Sequence, residues 1–101
     1  MSNADGLGRV LDDAGDNRFV LQQDGGLSEL VYRVNGNRLV LVHTEVPEAI
    51  RGRGIAGRLV QAAIERAAAE GMTVVPLCPY VRKWLGAHSE VSATVAIDWG
   101  A

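Results

Sequence analysis

Between Arg38 and Cys78 the spacing of apolar residues changes twice. Residues 38–46 read RLVLVHTEV, a nearly continuous apolar run that Pro47 ends. From Gly54 to Glu70, Ala56, Leu59, Val60, Ala63, Ile64 and Ala67 recur at helical spacing, with Arg58, Gln61 and Glu65 on the opposite side. That is the pattern of an amphipathic helix, and Gly71 suits its C-terminal end. Residues 72–78, MTVVPLC, are again short and apolar. A strand, a helix and a strand in this order rejoin one sheet as a right-handed crossover, with the two strands parallel. This unit makes the fold α/β.

The residues before it make the sheet mixed. Residues 17–23 and 27–34 read as strands joined by the turn Asp24-Gly25-Gly26, and Asn35-Gly36-Asn37 marks a tight hairpin into 38–46. The expected order is a three-stranded antiparallel meander, then helix, parallel strand and short helix. Leu39 to Val42 are apolar at every position, which predicts a strand covered on both faces. A period of two places Leu39, Leu41, His43 and Glu45 on one face. Residues 79–88 form the short second helix, with Pro79 tolerated at its first position and Tyr80, Val81, Trp84, Leu85 and His88 as its buried stripe. Residues 1–16 read as a loose start and residues 92–101 as a tail without assigned structure. One domain spans residues 1–101, as expected of a 101-residue chain.

Charge and composition narrow the partners. The net charge of −2 provides no field for nucleic acid. No apolar run approaches the ~20 residues of a membrane span, and the polar N-terminus does not read as a signal peptide. No membrane partner is expected, and a cytoplasmic location is the default. One cysteine rules out an internal disulfide, and with two distant histidines it makes no metal site. The expected state is a monomer or weak dimer.

Three glycines and two arginines crowd the start of the long helix, in Arg51-Gly52-Arg53-Gly54-Ile55-Ala56-Gly57. The first amides of a helix lack intrahelical acceptors. They converge with the positive end of the helix dipole, so a phosphate group is a natural guest there. Glycines let a ligand approach the backbone, and arginines add charge-assisted hydrogen bonds. The other reading is that the glycines only form a tight turn and let the helix approach the sheet, leaving the arginines solvated. The loop is no Walker A sequence. It has G-x-G-x-x-G spacing but follows the third strand of a meander, and no acidic ribose partner follows it.

In this position, Arg51-x-x-Gly54-x-Ala56 resembles the acyl-CoA-binding motif of GNAT-type N-acetyltransferases, Q/R-x-x-G-x-G/A. The wider stretch, from His43-Thr44-Glu45-Val46 through the glycine-arginine loop to Val75-Pro76-Leu77-Cys78-Pro79-Tyr80-Val81, looks like the small single-domain GNAT-like proteins. The resemblance implies a minimal GNAT-like fold. It also implies acetyl-CoA as cosubstrate, with the pyrophosphate on Val46, Arg51, Gly52, Arg53, Gly54, Ile55, Ala56 and Gly57, and transfer of acetyl to an amine. The acceptor would be a small molecule or a protein amine.

The same resemblance makes Cys78 the proposed catalytic cysteine. A thiol opening a helix has its thiolate favoured by the dipole. It could carry the acetyl group covalently or protonate the departing CoA. The other reading of Cys78 is a buried, inert space-filler. Glu45 and His43 are candidate bases for the acceptor amine, or else a rim carboxylate and a satisfied core histidine. Tyr80 reads more readily as core than as a proton donor. Two other functions stay open: a CoA-binding or interaction module with little catalysis, and a different phosphate-ligand binder such as a nucleotide module.

Overall fold

The computed structural model describes residues 8–100. Its strands are β1 (Val10–Asp13), β2 (Arg18–Gln23), β3 (Gly26–Asn35), β4 (Arg38–Glu45), β5 (Thr73–Pro76) and β6 (Ala96–Ile97). The helices are α1 (Ile55–Glu70), α2 (Pro79–Ala87) and α3 (Ser89–Ser92). One six-stranded sheet runs in the order β1-β2-β3-β4-β5-β6. Its first four strands are antiparallel, and β4-β5 and β5-β6 are parallel. The mixed α/β fold is therefore the one expected, with an extra strand at each edge.

Both extra strands correct the reading of the ends. Residues 1–7 of the expected loose start lie outside the described residues, but Val10–Asp13 pairs with β2 and Ala14–Asp16 forms a 3-10 turn. The meander thus has four strands. Its first is short and half polar, and it is held by side chains distant in sequence. Tyr32 Oη donates to Asp12 at 2.6 Å, and Arg66 donates to Asp12 at 3.0 Å and to Tyr32 Oη at 2.9 Å. Burial and then the Asp12 hydrogen bond push the Tyr32 phenol above its ordinary value, while Arg66 opposes them. The phenol therefore stays protonated as the donor. Tyr32→Phe is expected to cost about 1 kcal/mol, read as a melting point about 5 °C lower.

At the other end, β6 and the last residue of α3 occupy residues assigned to the tail. Asp98 N donates to Val74 O at 2.9 Å, Arg38 pairs with Asp98, and Arg82 donates to Trp99 O at 2.8 Å.

The core lies on one face of the sheet. Ile55, Leu59, Val60, Ala63, Ile64 and Ala67 of α1 and Val81 and Leu85 of α2 pack with Phe19, Leu21, Leu30, Leu39, Leu41 and Val74 in one buried cluster. Two successive crossovers that step the same way along a sheet put their helices on the same side. The opposite face is left bare. Val40 and Val42 are only half-buried, so the expectation of a doubly covered β4 does not hold. The second-helix stripe is also narrower than expected. Trp84 and His88 are half-buried, and Tyr80 is 40% exposed.

Candidate functional site

The site begins where β4 and β5 part. Their parallel ladder ends at Leu41–Pro76. Leu41 O then accepts from both Leu77 N at 3.0 Å and Cys78 N at 3.1 Å, and the chain turns into α2 at Pro79. Pro76 and Pro79 carry no N–H to extend the ladder.

A bulge just past this point in β4 changes which side chains face the gap. Tyr32 pairs with Leu41 and Val31 with His43, so Val42 is an extra residue in β4. Past it the alternation is reversed. Thr44, paired with the buried Leu30, joins Leu39 and Leu41 on the helix-covered side. His43 and Glu45 fall on the bare side, their side chains 58% and 56% exposed and joined by a 3.1 Å hydrogen bond. The single face expected for Leu39, Leu41, His43 and Glu45 is thus split in two. Thr44 Oγ1 lies 3.5 Å from Cys78 Sγ.

After β4 the chain is docked firmly. Ile50 is buried, and an atom added at Gly25 or Gly26 would strike Ile50 or Pro47 at 2.5 or 2.8 Å. The loop therefore sits directly on the β2–β3 turn. Arg51 Nε donates to Val46 O at 3.0 Å. Gly52 and Gly54 adopt φ of +82° and +75°, a left-handed region that disfavours any residue with a Cβ. Gly54 is the N-cap of α1, with no side-chain cap, and the first helical bond is Arg58 N to Gly54 O. The amides of Gly52, Arg53, Gly54, Ile55, Ala56 and Gly57 find no acceptor among the described residues.

Four of these six residues, Gly52, Gly54, Ile55 and Ala56, border a cavity of ≈ 420 Å³ lined also by Thr44, Glu45, Val46, Ile50, Arg51 and Tyr80. Of the clustered arginines only Arg51 lines it. Arg53 lies with Gly8, Gln23 and Asp24, and Arg58 Nη2 donates to Gly8 O at 2.6 Å. Ile55 puts its side chain in the core. Gly57 serves packing, since a Cβ there would lie 2.6 Å from Trp84 Nε1. A second groove of ≈ 660 Å³ shares Gly54 and Tyr80 with the first and runs along α1 past Arg58 to Trp84 and His88, whose rings stack at 3.8 Å.

Cys78 is 6% exposed and is not on the cavity wall. Tyr80 is on it. Burial, and then the neighbouring Cys78, push its phenol above the ordinary tyrosine value, so the neutral O–H persists. The sequence reading favoured a core role for Tyr80, which instead lies 40% exposed on the cavity wall, and did not single out Thr44. Pro79 at the first position of α2 was the available sign that Tyr80 lies in the opening turn. For Thr44 no local sign existed, because the bulge arises from pairing with β3. Among the described residues no group of His, Cys, Asp and Glu is arranged to hold a metal ion, and no helix is long and apolar enough to cross a membrane.

Comparison with known proteins gives a consistent result. A family model described as GCN5-related N-acetyl-transferase matches residues 18–95. Protein NATD1 of Bos taurus and of Homo sapiens are each 38% identical to the chain over 80 residues, covering 76% of this chain and 71% of theirs. Protein NATD1 of Danio rerio is 36% identical over 80 residues, covering 76% and 73%. The NMR solution structure of a GCN5-like protein from Staphylococcus aureus matches with a TM-score of 0.69 at 22% identity, covering 98% of this chain and 95% of that one. At that identity the likeness speaks for the fold alone.

Proposed function

The chain belongs to the GCN5-related N-acetyltransferase family, and on that premise we propose that it transfers acetyl from acetyl-CoA to an amine. The observation that carries this reading is the run of amides from Gly52 to Gly57 that find no acceptor among the described residues, with Gly52, Gly54, Ile55 and Ala56 on the wall of a preformed cavity. A pyrophosphate offers only acceptors, and this turn presents free N–H donors, backed by a helix dipole. Arg51, tied back to Val46, adds a fixed positive charge. The groove from Gly54 to Trp84 has room for the nucleotide end, and the parting of β4 and β5 takes the pantetheine arm.

Acetyl-CoA supplies the activated acyl group as a thioester. The chain's own groups position and protonate. Backbone N–H groups near Val46 receive the oxyanion of the tetrahedral intermediate. Glu45, at the cavity rim and oriented by His43, takes a proton from the acceptor amine. Tyr80 gives the departing CoA sulfur its proton. Glu45→Gln and Tyr80→Phe are each expected to lower kcat about a hundredfold with little change in the Kd for CoA. Thiol release in the presence of spermidine, small primary amines and a lysine peptide measures the first quantity, and calorimetry the second. Because the Tyr80 phenol is raised, wild-type activity should not lose this donor until above the ordinary tyrosine range.

One observation favours a second reading, a CoA-binding module with little catalysis. His43 and Glu45 lie on the bare side of β4, while Cys78 is buried off the cavity wall on the other side. Tight CoA binding with no thiol release over the whole amine panel would support it. Preference for ATP or NAD over CoA in thermal-shift titration would overturn both.

A further inference from the structure

Cys78 has no part in the mechanism above, and its surroundings explain why. Its amide is bonded to Leu41 O at 3.1 Å and Pro79 follows it, so the backbone is held at both sides of the thiol. Its Sγ lies 3.5 Å from Thr44 Oγ1, and Thr44, unlike Cys78, lines the cavity. The Val42 bulge places Thr44 there, since an uninterrupted β4 would turn it to the bare side.

We infer that Thr44 sets the route of the acyl group: it stands between the cavity and Cys78, withholds the thiol from a bound thioester, and commits the acetyl group to direct transfer. The inference rests on the acetyltransferase reading for its substrate but not for its geometry. In the route that Thr44 blocks, Cys78 sulfur would bond to the thioester carbonyl carbon, and the bond from that carbon to CoA sulfur would break. The Cys78 proton would pass to the CoA thiolate. Such attack requires the two reacting atoms to lie about 3–3.5 Å apart, and the Thr44 side chain, on the cavity wall and 3.5 Å from Sγ, would stand in that approach. Thr44 acts through Cys78 and the cavity wall, so it is a positioning residue.

The full chain is tested by two measurements at neutral pH. The first is the rate of iodoacetamide labelling of Cys78, with Cys78→Ser as the blank. The second is the intact mass after mixing with acetyl-CoA. Wild type and Thr44→Val, which keeps the bulk without the hydroxyl, should label at similar slow rates and carry no acetyl on Cys78. Thr44→Ala should label at least about tenfold faster, since thiol reactivity follows access, and should accumulate acetyl-Cys78. A melting curve confirms that each variant is folded at the labelling temperature. Should the alanine variant melt below it, Thr44→Ser serves instead, with labelling severalfold faster expected. Acetyl-Cys78 in wild type, or wild-type labelling in the folded small-residue variant, overturns the inference. Calorimetry with CoA separates the two readings. Absence of CoA binding would sink the acetyltransferase proposal, while the labelling rates would still judge Thr44 as a shield.

Discussion

Gly54→Val is expected to weaken CoA binding by about a hundredfold, or ~3 kcal/mol, while leaving the protein folded. Gly54 holds φ of +75° at the N-cap of α1, and nothing lies within 4 Å of an added Cβ. The loss would therefore not come from a clash. It would come from the backbone, because a β-branched residue is strained by about 1–3 kcal/mol in that region and escapes by turning φ negative. That rotation re-aims the amides of Ile55 and Ala56, which begin the helix just beyond it. Calorimetric titration with CoA measures the loss, and a melting curve shows whether the fold survived. A Kd within threefold of wild type would mean that the amides of this turn do not hold the diphosphate.

The second large effect concerns stability. Leu41→Ala should cost about 2–5 kcal/mol, a large share of the ~5–15 kcal/mol available to a domain of this size. The melting point should fall by about 10–20 °C. Leu41 is fully buried, opposite Tyr32 at the bulge and beside Pro76 at the last rung of the parallel ladder. Its neighbour Val42 has no partner across the strand and lies half-buried on the bare side. Val42→Ala should therefore cost less than about 1 kcal/mol. Chemical denaturation of both variants compares the two sides of one strand. Equal losses would show that the bare face is packed after all.

Much of the fold was legible in the chain because the signals were local. Alternation and turn residues located β2, β3 and β4, and helical spacing located α1 between Gly54 and Gly71. The glycines and arginines marked the start of that helix as a candidate anion site, and Gly52 and Gly54 take left-handed conformations, as a tight turn by itself also requires. The roles of individual members of that cluster were not legible. Gly57 accommodates Trp84 from another helix, and Arg58 reaches Gly8. Strands β1 and β6 were missed for a related reason. Each is short, carries polar or small residues, and is held by groups far away in sequence, Tyr32 and Arg66 for one and Arg38 for the other.

The strand-helix-strand unit and its glycine-arginine turn could be inferred from Arg38 to Cys78 alone, because helix periodicity and capping depend on residues within one or two turns of each other. The faces of β4 could not. A period-of-two reading assumes an unbroken ladder, and one extra residue at Val42, visible only against β3, reverses every side chain beyond it. Strand pairing put Thr44 beside Cys78 and sent His43 and Glu45 to the other side, since a bulge belongs to two strands at once and leaves no mark in either sequence.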